Sequence, residues 1–438
     1  MGWAGILLVL LGTLVLFLAL GLPVVFAFFA TNVIGAWLFM GGEAGLMQLV
    51  RNAVDSVTSF ALLPIPLFIL MGEIMFYTGI AERAIDAVDK LIARVPGRLS
   101  LVAIVGGTIF AALSGSSIAN TAMLGSTLLP EMFRRGYQPS IAIGPIVAVG
   151  GIAILIPPSA LAVLLGSVAQ IPIGALLVAS ILPALIMSAM FFGYVILRCR
   201  LDPSLAPAYD VEALSWRERL MPFVKYVLPL SAIFVVVVGS IVGGIATPTE
   251  SAALGAAASL AAAAVYRRLT WENFVVSVRQ TLRFTVMTLF IICGSITFSQ
   301  LMAFTQASNG LSAAVLGAGL PPLGLLIGMI LILLFLGCFM DQVSMMMITV
   351  PLFMPIVQQA GFELVWFGVI MLMCLEIGLA TPPFGLLLFV AKGASPETPM
   401  GVIVRSVAPY IVLALFTVGL LVAFPELTLW LPRLMAPK

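Results

Sequence analysis

The sequence predicts an all-α polytopic membrane protein of about eleven transmembrane helices and two re-entrant hairpins, folded as two inverted-topology repeats. Three observations carry this expectation. Hydrophobic residues make up 62% of the chain and charged residues 9%, which is more apolar surface than a water-soluble core can hide. The apolar runs are continuous and close to the roughly twenty residues of a membrane helix, whereas a β-barrel would alternate over segments of about ten. Finally, the punctuation of the first half recurs 225 residues later. Pro23 returns as Pro248, Pro96 as Pro321, Pro130 as Pro355, Gly136 as Gly361, and Pro157 with Pro158 as Pro382 with Pro383.

Taken in order, Trp3 to Leu20 and Pro23 to Phe39 are the first spans. Gly2 to Leu20 lacks the basic n-region of a signal peptide; cleavage near Ala19 is the alternative. Ala61 to Gly79 is the third span. From Ala81 to Val95, Ile85, Val88, Ile92 and Val95 recur at helical spacing opposite Glu82, Arg83, Asp86, Asp89 and Lys90, which predicts an amphipathic arm lying in the interface.

The stretch that follows organises the chain. Leu101 to Ala112 and Thr121 to Leu129 are each about half a span long, and Ser114, Gly115, Ser116, Ser117 and Asn120 stand between them. A polar break at membrane depth is tolerated where protein or a water-filled cavity covers its backbone groups. The region from Arg98 to Arg135 therefore reads as a re-entrant hairpin at a binding site, the alternative being a serine-rich kink that only packs helices.

A broken span from Ser140 to Ala169, interrupted at Pro157 and Pro158, precedes a span from Pro172 to Leu197 and a polar connector over 198–222. The second half repeats the pattern. It has spans near 223–244, 249–266 and 284–304, a hairpin near 322–360, a broken span over 364–391 and a last span over 401–423. In domain terms, 1–79 and 223–304 are scaffold, 80–97 and 305–321 are arms, and 98–197 and 322–423 are the hairpins and broken helices of a transport domain. The connector (198–222) closes the first repeat (1–222), and the tail (424–438) closes the second (223–438).

Charge fixes the sidedness. With Arg83, Lys90, Arg94 and Arg98 placed inside, all 20 Lys and Arg fall on that side except Arg51, Arg433 and Lys438, as the positive-inside rule requires. Both termini then lie outside, in the periplasm of a bacterium. An odd number of crossings per half turns the second half over relative to the first. Such inverted repeats belong to secondary transporters, whose sites lie near the midplane at discontinuous helices.

The chemistry narrows the class further. There is no histidine, hence no ordinary general base or metal ligand of that kind. No GxxxxGK[ST] loop is present for ATP. The four cysteines, 199, 293, 338 and 374, show neither metal nor disulfide spacing. No nucleophile and base stand at helical spacing in the membrane, which argues against an intramembrane enzyme.

Under the 225-residue shift Ser116 lands on Asp341, within Gly337 to Ser344. A carboxylate at membrane depth costs about 2.5 to 3.5 kcal/mol, so it ordinarily has a partner or a task. Asp341 is the first candidate for a functional charge, or else an acid reaching water at the hairpin mouth. Glu73, Glu250 and Glu376 are also embedded or near an interface; Glu250, in Thr-Pro-Thr-Glu, reads as a helix cap. Pro157 and Pro382 remove amide donors, which frees carbonyls one turn earlier for a cation, and Ser117, Ser159 and Thr381 add hydroxyls. Oxygen ligands of this kind suit Na⁺, and two sites follow from the duplication.

These residues resemble a known family, the large membrane (M) subunit of tripartite ATP-independent periplasmic (TRAP) transporters. The resemblance rests on Phe110 to Asn120, Ile156 to Ser159, Gly244 to Gly255, Asp341 followed by Pro351 and Pro355, and Ala380 to Gly385, and it covers nearly the whole chain. It implies an elevator-type fold like that of the ion transporter superfamily, driven by a Na⁺ gradient with no other cofactor. It implies one cation site over Ser114, Gly115, Ser116, Ser117, Asn120 and Ser159, and another over Gly337, Asp341, Thr381 and Pro382. Substrate is expected at Ser116, Asn120, Ser344, Pro158 and Pro383. The implied partners are a small four-helix membrane (Q) subunit on a separate polypeptide, a periplasmic substrate-binding (P) protein, membrane lipid and an organic acid, with no nucleic acid. The residues alone leave open a stand-alone Na⁺- or H⁺-coupled anion symporter of similar architecture.

Overall fold

A computed structural model describes residues 1–92, 95, 97–207 and 215–435. Arg94 and Pro96 of the arm, part of the connector and Lys438 lie outside the described residues. Helices account for the ordered structure. The first half comprises α1 (Trp3–Ala19), α2 (Val24–Phe39), α3 (Glu43–Val57), α4 (Pro64–Tyr77), α5 (Ile80–Leu91), α6 (Arg98–Ser114), α7 (Ser117–Arg134), α8 (Pro139–Gly150), α9 (Ala160–Val168), α10 (Ile173–Ala179) and α11 (Ile181–Leu201). The second comprises α12 (Trp216–Pro222), α13 (Leu228–Val242), α14 (Pro248–Val265), α15 (Trp271–Phe304), α16 (Ala307–Gly317), α17 (Pro322–Gly337), α18 (Gln342–Gln359), α19 (Leu364–Ala380), α20 (Leu386–Ala394), α21 (Met400–Ala423) and α22 (Glu426–Met435).

The repeat is visible in the helix starts. Ser117 of α7 and Gln342 of α18 are 225 residues apart, as are Pro139 of α8 and Leu364 of α19. Proline opens α4, α8, α14 and α17, where its missing N–H costs nothing and its fixed φ suits the first turn. Gly79 and Gly97, both at positive φ, set off α5 on either side because an L side chain is strained there.

The helix contacts fall into two sets. In one, α15 lies against α2, α3 and α4, and α14 lies against α4 and α13. In the other, the hairpin α6–α7 packs on α8, the hairpin α17–α18 packs on α19, and α21 lies against α8, α11 and α19. The arm α5 buries Ile80, Ala84, Ile85 and Val88. Outside that face, the Arg83 guanidinium donates to the Tyr226 hydroxyl at 3.1 Å, and Arg98 pairs with Asp89 at 3.0 Å.

Several boundaries differ from the sequence reading. The arm helix stops at Leu91. Residues 43–57, which no span claims, form α3, a surface helix with Met47, Val50 and Val54 exposed; its low apolar content hides it from a search for spans. Polarity likewise hides how far α11 reaches into the connector and how early α15 begins: the latter runs for 34 residues from Trp271. The tail carries α22, packed on α10 and α11. Among the described residues five helices are long and apolar enough to cross a membrane unaided, and six shorter apolar helices accompany them.

Candidate functional site

The two hairpins and the two broken helices meet at one level. Helix α6 ends at Gly115, whose positive φ (56°) reverses the chain into α7. A Cβ at Gly115 would stand 3.3 Å from the Pro158 carbonyl, so the hairpin tip lies directly on the break between α8 and α9. The second half has its own close approach. Gly337 at the end of α17 crosses Gly378 of α19, and a Cβ on either would sit 2.6 Å from the other's Cα.

The breaks are built by proline and finished by caps. After Gly150 the chain leaves the helix for nine residues, passes through the cis Pro157–Pro158 bond, and restarts at Ala160. Ser159 Oγ accepts from the Ala162 N–H at 3.1 Å, and Ser116 Oγ accepts from the Ala119 N–H at 3.3 Å. Asp341 does the same for α18, accepting from the Ser344 N–H at 3.1 Å and from the Ser344 hydroxyl. Each oxygen satisfies an amide that the first helical turn leaves unpaired. In the other broken helix, the Thr381 hydroxyl donates to the Ile377 carbonyl at 2.6 Å, and Pro382 and Pro383 are joined by a cis bond on an exposed turn.

Between the two groups of helices lies a cavity of about 370 Å³. Ile69 and Glu73 of α4 and Phe284, Met287 and Ile291 of α15 form one wall. Gly115, Ser116, Ser117, Asp341 and Gln342, with the starts of α9 and α20, form the other. The N-termini of α7, α9, α18 and α20 thus converge on one space, and their unpaired amides favour an anion or an anionic end of a ligand.

The structure sorts the expected site residues. Gly115, Ser116, Ser117 and Asp341 line the cavity together, and Asp341 is exposed to it. Ser159 is buried at the start of α9, just behind the wall. Asn120 is wholly buried, and its amide donates to the Gly107 and Val149 carbonyls at 3.2 Å each. It therefore braces the hairpin against α8 and does not face the cavity. Ser344 is buried behind Asp341, Pro158 lies under Gly115, and Pro383 is on the exposed turn. None of these three lines the space either. Of Ser114 the structure describes only the backbone position at the end of α6.

Glu250 forms a reciprocal capping box with Thr247 at the start of α14, 2.8 Å from the Thr247 N–H, in agreement with its reading as a cap.

One residue carries more than the sequence reading gave it. Glu376 of α19 is 2% exposed, and its Oε1 accepts from the Ser117 hydroxyl at 2.5 Å. The Gln342 amide and the Ile154 backbone also face this carboxyl, while Oε2 completes no hydrogen bond. Ser117 and Gln342 are 225 residues apart, as are Gly151 and Glu376. A Cβ on Gly151 would come within 3.7 Å of Glu376 Oε2, so the acid lies against the glycine that is its counterpart in the other half. The 225-residue shift itself was the signal that could have found the junction, because it aligns Glu376 with the start of the break after Gly150.

Comparison with known proteins agrees with this architecture. The profile of the family described as "Tripartite ATP-independent periplasmic transporter, DctM component" matches residues 11–427. The C4-dicarboxylate TRAP transporter large permease protein DctM of Pseudomonas aeruginosa is 31% identical over 90% of this chain and 93% of its own. The ectoine/5-hydroxyectoine TRAP transporter large permease protein UehC of Ruegeria pomeroyi is 30% identical over 97% of this chain and 98% of its own. The YdaH transporter of Alcanivorax borkumensis superposes with a TM-score of 0.63 at 16% identity, covering 89% of this chain and 91% of that one; that likeness concerns the fold alone.

Proposed function

The chain belongs to the DctM component of the tripartite ATP-independent periplasmic transporters, and from that premise we propose that it takes up an organic acid across the bacterial inner membrane, driven by Na⁺. The observation that carries the reading is the cavity between two helix groups, on which four helix N-termini and the Asp341 carboxylate converge. A small membrane subunit and a periplasmic binding protein complete the transporter, with both termini of this chain periplasmic. The relatives' names point to C4-dicarboxylates and to ectoine, a range that suits a site built from helix ends and hydroxyls.

In this reading the hairpins and broken helices move as a body against α2–α4 and α13–α15, carrying the cavity wall across the membrane. Na⁺ draws on Ser117, Ser159, Thr381 and Asp341, with carbonyls freed ahead of Pro157 and Pro382. Cation charge near Asp341 offsets the cost of bringing an anion beside it. The test is uptake in proteoliposomes holding the complete transporter, with a Na⁺ gradient at fixed pH compared with a pH gradient without Na⁺. Uptake under the first condition alone is the expected result. Uptake under the second alone would overturn the Na⁺ assignment.

A further inference from the structure

The charge of the cavity is uneven in a way that bears on its ligand. One wall presents the N-termini of α7, α9 and α18, capped by Ser116, Ser159 and Asp341. The opposite wall presents Glu73, half-buried among Ile69, Phe284, Met287 and Ile291. Among the described residues no hydrogen-bond donor or cation reaches the Glu73 carboxylate, and no Lys or Arg lines the cavity. Asp341 differs, since Ser344 holds it at the start of α18. An acid left unpartnered on apolar scaffold at membrane depth is costly to keep, and by default it marks a function.

We propose that Glu73 is a specificity-determining residue that receives a positively charged nitrogen of the substrate. The site then prefers an organic acid that is also a cation at its other end over a dianion of the same length. This rests on the transporter reading. The carboxylate of such a zwitterion sits at the helix N-termini, where amides point outward, and its cationic end crosses the cavity to Glu73. A dicarboxylate in the same pose sets its second charge against Glu73 with nothing to neutralise it, which is discrimination by repulsion.

The cavity's preference can be read without knowing the substrate. In the full chain, with Cys199, Cys293, Cys338 and Cys374 replaced by serine, Met287→Cys places one thiol on the scaffold wall, at a position 46% exposed. Its modification rates are measured with a trimethylammonium-ethyl and a sulfonatoethyl methanethiosulfonate, each divided by that reagent's rate with a free thiol. The expected result is a preference for the cationic reagent of about tenfold or more, the scale of charge focusing in a low-dielectric cleft. Glu73→Gln should lower the ratio severalfold, what is left belonging to Asp341 on the opposite wall, and Glu73→Asp should keep the preference. An anionic preference, a cationic preference unchanged by Glu73→Gln, or no reaction with either reagent would each overturn the proposal. Na⁺-driven uptake by the unmodified transporter is scored separately, so failure of the transporter reading and failure of the Glu73 assignment give different results.

Discussion

The Ser117 hydroxyl donates a 2.5 Å hydrogen bond to Glu376 Oε1 across 259 positions of sequence. It ties the hairpin of the first half to the broken helix of the second, at the point where the halves face each other. With Gln342 close to the same carboxyl, both hairpin tips reach one acid.

The first prediction follows from that bond. Ser117→Ala removes the donor and leaves a buried carboxyl whose Oε2 is already unpartnered, so thermal or denaturant unfolding in detergent should show a loss of about 1 to 3 kcal/mol. A double-mutant cycle with Glu376→Ala should return a coupling of the same order. Additive effects would mean that the two residues act independently.

Asp341 allows charge and cap to be separated. Asparagine caps helices about as well as aspartate, so Asp341→Asn should leave α18 and the unfolding temperature nearly unchanged while reducing Na⁺-driven uptake strongly. Equal uptake by variant and wild type would remove Asp341 from the cation site.

The crossing of the second hairpin with α19 depends on two glycines in contact. Gly337→Ala forces a Cβ to within 2.6 Å of the Gly378 Cα and should destabilise the protein by about 1 to 3 kcal/mol. Gly328→Ala in the same helix meets nothing within 4 Å and should be neutral or mildly stabilising. Similar unfolding temperatures for the two variants would argue against the close crossing.

A pH effect is expected at the arm. Burial raises Asp89 above its usual 3.8, and the neighbouring Arg98 and Arg135 only partly offset this. A carboxyl whose folded pKa is raised gives stability that is complete below 3.8 and is lost as pH rises through the folded value. As pH rises above 3.8 the wild type should therefore lose stability relative to Asp89→Asn. Melting curves for the pair at several pH values would show this, and a difference that stays constant would contradict it.

Sidedness can be tested directly. Cysteines at Arg134, at the end of α7, and at Glu363, just before α19, should label from opposite faces of the membrane; labelling from one face would break the inversion.

The sequence by itself determined the membrane class, the two repeats, the positions of both hairpins and the breaks at Pro157 and Pro382. These features are local: hydropathy over about twenty residues, missing proline amides and polar residues at membrane depth can be read without knowing what packs on what. Tertiary structure decided which polar groups share a space. Asn120 and Asp341 are both polar residues beside a hairpin break, yet Asn120 turns into the α8 interface and Asp341 turns to the cavity. Glu376 lies in an apolar helix with no local mark of its partner Ser117, and Glu73 gains meaning only because α4 faces the transport wall. Which face of a nearly uniformly apolar helix points inward is settled by long-range packing, and in a membrane chain the helical alternation that would announce that face is largely absent.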